Sequence, residues 1–510
     1  MIYRVISAVL ALAMLMPALA AADDGLPDAA TITANARKGQ DVPLGYRWTT
    51  VTVRSNGVTV SEREIVRGDD WRTISTAGPF HEEAGRIKSQ GWHQNANGQT
   101  VNDEPDPGNA KPDPTTTTVI RTRTPLDAYV VAKLNVRGWG TRRFVDPQTW
   151  RTLRFETITA NGSIVTDYAD FRLDGGRFFA HHWSTRNDYA QTTSETTVTA
   201  YDATPVKDEE IAEPASRRSL VTFPPGVTST ELPVKFGRHH VFVRVTINGR
   251  GLDFMLDSGA AGITIDNGIA HELGLTLYGP HSSVAAQRYG TARSIIPEMK
   301  VGSLVMHDVA VTLAPDTFHE QNDVRTVGLL GFDFLAELGV TIDYEHQRVV
   351  AVSEPQYQPP AGKGVIPLDV RIGNGSPYLD VLINGALSER FLIDTGGGGS
   401  LMIFDAFARK HPEALKDKGG GGDARRVRFS GIGGTIETQP YQLGSVRIGS
   451  LNFVDFVGFL VTAKHSYAGD VDGLIGADFL RLFDVGLDYA SSRVYLVPNA
   501  LGRRAMGIKD

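Results

Sequence analysis

The chain of 510 residues contains no cysteine. This absence excludes disulfide bonds, a catalytic thiolate and zinc sites built from thiolates, so the fold must be stabilised by burial of apolar side chains. It also excludes the lipid-carrying cysteine of bacterial lipoproteins. Cysteine-dependent chemistry is therefore removed from the possible functions.

The chain also lacks an excess of basic residues. The 51 Lys and Arg residues against 58 Asp and Glu residues give a formal net charge of −7, and no long run of one sign occurs. Recognition of nucleic acid needs a basic patch or stripe. We therefore expect no nucleic-acid partner.

Long apolar runs are missing beyond the first residues. Arg4 precedes a nearly continuous apolar stretch from Val5 to Leu15, and small residues that suit cleavage follow at Ala20 and Ala22. This stretch is too short for a comfortable membrane span. We predict a signal peptide over residues 1–22, an exported protein in the periplasm or secreted, and no stable membrane span in the mature chain. An uncleaved N-terminal anchor is the alternative.

Residues 23–215 are rich in β-branched and aromatic residues. Strand-like runs such as 46–53 and 151–158 alternate with turns of the hairpin type, including Asn56-Gly57 and Asn161-Gly162. The pattern predicts an antiparallel β domain, whose role the sequence does not reveal. Residues 216–231 are predicted as the linker that follows it.

The remaining sequence contains an internal repeat, which defines two predicted lobes at 232–355 and 360–500. Each copy has two strand-like runs, then an Asp-Ser/Thr-Gly segment, a short helix and a second landmark of two apolar residues and Gly. The matched segments, first copy then second, are 257–260 and 394–397, 301–304 and 448–451, 328–335 and 473–480, and 342–344 and 487–489. Matched landmarks in one order indicate a duplicated module.

The repeat places one carboxylate, Asp257 or Asp394, at the end of an apolar strand in each copy. Glycine after the hydroxyl residue permits a tight turn with close backbone approach. If the copies pack about a pseudo-twofold axis, the two carboxylates face each other and cannot both ionise easily, so they share a proton. One then acts as general base on water while the other polarises a carbonyl group.

A single Asp-Ser-Gly or Asp-Thr-Gly is weak evidence, because these residues are common in turns. The duplicated context is specific, and residues 232–498 resemble the retropepsin-like aspartyl proteases in a tandem, single-chain form. The resemblance rests on 257–260, 394–397, 329–331 and 474–476. It implies a mainly β fold with two β-barrel lobes, a peptide-binding cleft between them, and a complete site without dimerisation.

The resemblance also implies roles for particular residues. Asp257 and Asp394 are the catalytic pair. The active-loop residues are Ser258, Gly259, Ala260, Thr395, Gly396 and Gly397, and the flap residues over the cleft are Tyr289, Gly290, Gly431, Gly433 and Gly434.

Two residues of the active loops differ from the pattern of a more acidic, pepsin-like site. Ala260 and Gly397 follow the Asp-Ser/Thr-Gly segments, and neither can donate a hydroxyl hydrogen bond to the carboxylates. Hydrogen bonds to a charged carboxylate lower its pKa. We therefore expect a pair that works nearer weakly acidic to neutral pH than a pepsin-like site does.

The sequence favours an aspartic endopeptidase that acts on a peptide or protein substrate, with no metal and no cofactor. One alternative is a non-catalytic module that binds a peptide or partner and retains the protease fold, because fold alone does not fix function. A second is that residues 23–215 carry an apolar ligand and the protease fold serves as a scaffold.

Overall fold

The computed structural model describes residues 25–38, 45–103, 114–159, 162–188, 191–237, 240–284, 288–314, 320–321, 324–362, 364–373, 375–415, 426–431, 434–461 and 471–508. The predicted signal peptide, 1–22, lies outside these ranges. The fold is mainly β, as predicted, with a large antiparallel sheet followed by two barrels.

The N-terminal part forms one 13-stranded antiparallel sheet in the order β6-β5-β4-β3-β2-β1-β13-β12-β11-β10-β9-β8-β7. Adjacent strands are joined mostly by short turns, as the turn residues predicted. Helix α1, Ala29–Arg37, packs on it, and α2, Asp208–Ile211, follows it. The strands are β1 Tyr46–Arg54, β2 Thr59–Arg67, β3 Asp70–Ala77, β4 Phe80–Ile87, β5 Gln90–Gln94, β6 Thr100–Asp103, β7 Thr115–Thr122, β8 Ala128–Asn135, β9 Gly140–Val145, β10 Thr152–Thr159, β11 Gly162–Asp174, β12 Arg177–Asn187 and β13 Thr192–Asp202.

The first lobe is a six-stranded closed barrel of β16, β17, β23, β18, β21 and β20, which the pairing of β16 with β20 closes. Apolar residues on these strands fill its interior. Its helices are α3 Asn267–Glu272 and α4 Phe332–Leu335. Its strands are β14 Ser229–Glu231, β15 Val234–Phe236, β16 Val241–Ile247, β17 Arg250–Leu256, β18 Thr264–Asp266, β19 Tyr278–Val284, β20 Arg288–Val301, β21 Leu304–Ala314, β22 Glu320–Gln321, β23 Val324–Leu330, β24 Leu338–Asp343 and β25 Arg348–Ser353.

The second lobe repeats this barrel with β28, β29, β34, β30, β33 and β32, closed by β28 against β32. Its helices are α5 Asp405–Lys410, α6 Ala477–Leu480 and α7 Ala500–Ala505, with 3₁₀ turns at Glu354–Gln356 and Pro412–Leu415. Its strands are β26 Ile366–Asp369, β27 Arg371–Gly373, β28 Ser376–Ile383, β29 Ala386–Asp394, β30 Leu401–Ile403, β31 Val427–Gly431, β32 Gly434–Ile448, β33 Leu451–Val461, β34 Gly473–Gly476, β35 Phe483–Asp488 and β36 Arg493–Pro498.

A separate six-stranded sheet, β14-β25-β24-β35-β36-β26, joins the two lobes. Its central pair is β24 from the first lobe and β35 from the second, which run antiparallel from Gly339 opposite Asp488 to Ile342 opposite Val485. Backbone hydrogen bonds therefore connect the lobes directly, and apolar residues from both contribute to one continuous core.

The stretch predicted as a linker, 216–231, packs along the first lobe. Leu220 and Val221 are buried in the core shared by the lobes, Thr222 pairs with Val305 as an isolated bridge, and Ser229–Glu231 forms β14 of the joining sheet. Within the described ranges, no helix is long and apolar enough to cross a membrane.

Candidate active site

Each carboxyl group of the predicted pair lies where an apolar strand leaves its barrel. Asp257 follows β17, and Asp394 is the last residue of β29. Each strand pairs in parallel with the strand that carries the second repeat landmark, β23 or β34. The repeat thus brings two Asp-bearing loops, one from each lobe, to a common place between the barrels.

The hydroxyl residues of the two loops bind each other's backbone reciprocally. The Ser258 N–H donates to Thr395 Oγ1 at 2.9 Å, and the Thr395 N–H donates to Ser258 Oγ at 3.0 Å. Each hydroxyl also donates across the interface, Ser258 to the Ile393 carbonyl at 2.7 Å and Thr395 to the Leu256 carbonyl at 2.8 Å. Four buried hydrogen bonds therefore fix one Asp loop against the other.

The two carboxyl groups lie within hydrogen-bonding and Coulombic range of each other. Burial raises the pKa of Asp257 well above its usual range, and the negative charge of Asp394 raises it further. Burial also raises the pKa of Asp394, which the N–H groups of Gly396 at 3.0 Å and Gly397 at 2.7 Å partly oppose. The arrangement favours one proton shared by the pair.

A comparison with family models gives two matches on this chain, at residues 243–334 and 379–479, both to the family described as aspartyl protease. Each match contains one Asp loop and its second landmark. Residues 232–498 form a tandem aspartyl protease module. It has the retropepsin-like, two-lobed form that the sequence predicted, preceded by the N-terminal sheet domain.

Solved structures give distant fold similarities to parts of the chain. A LolA superfamily protein from Nitrosomonas europaea is 9% identical, covering 37% of this chain and 98% of its own, with a TM-score of 0.30. Basic 7S globulin from soybean is 10% identical, covering 56% of this chain and 97% of its own, with a TM-score of 0.33. A search of curated proteins found no significant match.

Glycine is required at the point where each loop of the protease module meets the opposite carboxyl group. A Cβ on Gly259 would lie 2.7 Å from Cγ of Asp394, and a Cβ on Gly396 would lie 2.5 Å from Cγ of Asp257. A Cβ on Gly397 would lie 2.5 Å from Oδ2 of Asp394. The glycine-rich second loop is thus explained at these positions by close approach to a carboxyl group.

The second repeat landmark ends in glycine for the same kind of reason. A Cβ on Gly331 would lie 2.4 Å from the Ala260 carbonyl oxygen, and one on Gly476 would lie 2.6 Å from that of Gly399. The apolar-apolar-Gly strand therefore passes directly against the Asp loop of its own lobe. The sequence showed these two landmarks only in the same order in each copy, and the structure shows that they are in contact.

The residues predicted for the flaps lie in two hairpins. Tyr289 and Gly290 are in β20, which pairs with β19, and Gly431 pairs with Gly434 where β31 meets β32. Gly433 lies outside the described residues. In the second hairpin the Phe429 ring lies against the Asp394 loop, since a Cβ on Gly398 would be 3.0 Å from it. A covering role for the hairpins stays a prediction.

Sequence reasoning missed three residues that support the loops. Tyr489 Oη donates to the Ser258 carbonyl at 3.0 Å, and its ring stacks on Phe332 at 5.9 Å. Ser376 Oγ donates to the Gly259 carbonyl at 3.0 Å, and Asp333 accepts a hydrogen bond from the Ile263 N–H. Tyr489 and Asp333 lie in repeat landmarks, but only the three-dimensional packing shows what they bond.

In the part of the chain that the structure describes, no group of three or more His, Asp or Glu residues could hold a metal ion.

Proposed function

We propose that this chain is an exported aspartic endopeptidase, with Asp257 and Asp394 as the catalytic pair. The observation that carries the proposal is the pair itself: a partly buried and a buried carboxyl group, within Coulombic range of each other, on loops held by four reciprocal hydrogen bonds. The family match adds that this loop architecture belongs to aspartyl proteases.

The chemistry follows from one proton shared by two acids. The ionised carboxyl group takes a proton from a water molecule, whose oxygen attacks the carbon of the scissile carbonyl. The protonated carboxyl group donates its proton to the carbonyl oxygen, which gives a tetrahedral diol. A carboxyl group then protonates the departing amide nitrogen as the C–N bond breaks. The rigid loops keep both groups positioned throughout, which lowers the entropic cost of the step.

The test is cleavage of a diverse peptide library by the mature chain from about pH 3 to about pH 8, which spans the usual and raised carboxyl pKa values. We expect cleavage in the wild type and loss of at least about 100-fold in Asp257→Asn and in Asp394→Asn. The Asp253→Asn variant is the matched control, because Asp253 lies on β17 and pairs with Lys235 and Arg244 outside the pair. It should retain the activity.

The alternative outcome defines a binding module. A folded wild-type chain that cleaves no peptide at any of these pH values, but retains peptides on an affinity column, would contradict catalysis and support recognition by the same cleft. Peptide capture that is unchanged by Asp257→Asn would support that reading further.

A cavity in the N-terminal sheet favours a second function, the binding of a largely apolar ligand. Its volume is about 460 Å³. Aromatic rings form much of its lining: Trp48, Phe155, Tyr168, Phe171, Phe179 and Trp183. Arg143 and Arg177 also line it, and no acidic residue does among the described ones. An apolar ligand with an anionic group fits this lining.

Tryptophan fluorescence of the full-length chain titrated with a fatty acid tests this second function. We expect saturable quenching in the wild type and in Asp257→Asn. Weaker binding is expected in Trp183→Ala and in Arg177→Ala. A fluorescence decrease that does not saturate with fatty acid concentration would contradict this second function.

Export is proposed from the N-terminal sequence alone. N-terminal sequencing of the protein recovered from the periplasm or medium of a producing bacterium should find a chain that starts after Ala20 or Ala22. A chain retained with its first 22 residues would contradict cleavage at this site.

A further inference from the structure

A turn of the N-terminal sheet enters the back of the first protease lobe. It spans residues 95–99, between β5 and β6, and its side chains are largely enclosed, with Asn97 only 2% exposed and Gln99 4%. The Asn97 amide forms two hydrogen bonds with Ala310 of β21, donating to its carbonyl at 3.0 Å and accepting from its N–H at 2.8 Å. The turn is therefore built into the barrel.

The same turn reaches a buried carboxyl group, Asp333, in the second repeat landmark. Asn95 Nδ2 donates to Asp333 Oδ1 at 2.7 Å, and Gln99 Nε2 donates to the Asp333 carbonyl at 2.9 Å. Asp333 is 6% exposed. A buried carboxyl group needs hydrogen-bond donors, and the N-terminal domain supplies one of them.

Asp333 in turn holds the loop that carries Asp257. Its Oδ2 accepts the Ile263 N–H at 3.1 Å, and a Cβ on Gly262 would lie 2.8 Å from the same oxygen. One residue earlier in the landmark, the Phe332 N–H donates to the Ala260 carbonyl at 2.9 Å. Hydrogen bonds thus lead from Asn95 through Asp333 to the loop 257–263.

The matching landmark of the second lobe has a different environment among the described residues. Asp478 occupies the matching landmark position, but its side chain is 31% exposed and lies 3.6 Å from Arg481 of the same lobe. The two halves of the site therefore have the same loop geometry and different supports.

A second contact joins the N-terminal sheet to the base of the first hairpin. Arg293 of β20 forms two hydrogen bonds of 2.9 Å with Glu82, and its guanidinium lies 4.0 Å from the centre of the Phe80 ring. Phe80 also meets Tyr278 of β19 edge to face at 5.4 Å. Tyr278 and Arg293 are paired across the hairpin. Through Arg293 and Asp333, the sheet domain thus reaches both the hairpin and the support of the Asp257 loop in the first lobe.

We infer that Asn95 is a positioning residue for the candidate active site, and that the N-terminal sheet domain holds the Asp257 loop in place through Asn95 and Asp333. The domain is then a structural part of the first half-site. This inference concerns the placement of the loop, and its consequence for cleavage rests on the proposed function.

Hydrogen exchange in the full-length chain tests the inference without any substrate. We expect the amide of Ile263, followed in peptides that span 257–264, to exchange about tenfold faster in Asn95→Ala than in the wild type, the change that loss of one buried hydrogen bond produces. Peptides that span 394–400 should be unchanged. Equal exchange at 257–264 in both proteins would overturn the inference.

A swap of the two side chains separates a specific bond from general damage. Asn95→Asp places two carboxyl groups face to face and should accelerate exchange at 257–264. The double variant Asn95→Asp/Asp333→Asn restores a donor to an acceptor and should recover part of the protection. Recovery is expected to be partial because Asn95 Nδ2 also donates to Gln99 Oε1 at 3.0 Å. No recovery, with the double variant folded, would contradict the direct bond.

Two control variants complete the design. Asp167→Asn removes an ion pair with Arg154 inside the N-terminal sheet, at 2.6 Å, and Asp478→Asn alters the matching landmark of the second lobe. Neither should change exchange at 257–264. If Asp167→Asn produces the same change as Asn95→Ala, the effect comes from a weakened sheet and the inference fails.

Cleavage kinetics then connect loop placement to catalysis. In Asn95→Ala we expect kcat to fall about tenfold while KM changes less than about twofold, because the loop carries a reacting group. A wild-type chain that shows the exchange pattern but no cleavage would leave the inference standing and refute the protease proposal. Cleavage by the wild type with unchanged exchange in the variants would overturn the inference and leave the protease proposal standing.

Discussion

The two lobes carry the same loop and differ in what stands behind it. In both, a hydroxyl residue binds the opposite loop and a glycine faces the opposite carboxyl group. Behind the loops, Asp333 is buried beneath the N-terminal sheet, whereas Asp478 is partly exposed. The comparison teaches that the loop geometry is encoded within the repeat, while the contacts behind each loop come from neighbours that the repeat does not contain.

Tyrosines at the matching positions 344 and 489 show the same divergence. Tyr489 Oη donates to the Ser258 carbonyl of the other lobe. Tyr344 Oη is buried and has no hydrogen-bond partner among the described residues. Duplication therefore produced two equivalent positions, of which one donates a hydrogen bond to an Asp loop and the other does not, among the described residues.

The largest effect is expected from Gly396→Ala. The new Cβ would lie 2.5 Å from Cγ of Asp257, so this carboxyl group would have to shift. Because small displacements of reacting groups are costly, we expect kcat/KM for a cleaved peptide to fall about 100-fold. Gly251→Ala is the control, since its Cβ would meet the flexible guanidinium of Arg244 at 2.7 Å. Similar activity in the two variants would show that the halves need no close approach.

Ser258→Ala should have the next largest effect. It removes one hydrogen bond to the Ile393 carbonyl and the acceptor of the Thr395 N–H, both buried between the lobes. We expect a loss of about 1–3 kcal/mol in the free energy of unfolding, measured with urea, and a lower kcat. Ser294→Ala removes a similar buried bond to the Thr276 carbonyl within one lobe. This variant should lower the free energy of unfolding without lowering kcat. A loss of kcat equal to that in Ser258→Ala would argue against a special role for the interlobe bonds.

A smaller effect concerns the pH dependence of cleavage. Burial raises the pKa of both carboxyl groups, so we expect maximal cleavage at weakly acidic to neutral pH. Ala260→Ser offers a hydroxyl to the Asp257 carboxylate, which stabilises its charged form and lowers the pKa. The pH profile of kcat/KM should therefore move to lower pH by about one unit. Ala261→Ser, at an exposed position, should leave the profile in place. A wild-type optimum near pH 2, or a shift to higher pH in Ala260→Ser, would contradict this account.

The smallest effect separates the two tyrosines. Tyr489→Phe loses the bond to Ser258 and should lower the free energy of unfolding by about 1 kcal/mol. Tyr344→Phe removes a buried hydroxyl without a described partner and should be neutral or slightly stabilising. Thermal unfolding of both variants measures the difference. Equal losses would show that the hydroxyl of Tyr344 has a partner after all.

The repeat made the protease fold predictable, because duplicated landmarks must fold alike. It identified the Asp loops and the strands that pass against them, and the turn residues indicated the antiparallel sheet. The bonds from Asn95 to Asp333 and from Ser376 to Gly259 could not be predicted. The first pair is separated by 238 positions, and no sequence period relates an amide in one domain to a carboxyl group in another.

The joining of the two lobes within one chain also sets how the proposed activity depends on protein concentration. Both half-sites belong to one chain and are joined by the pairing of β24 with β35, so dilution does not change their effective concentration. A site assembled from two separate chains would lose specific activity as its subunits dissociate. Here, the proposed cleavage needs only one chain, so turnover per chain should stay constant down to the lowest concentration assayed.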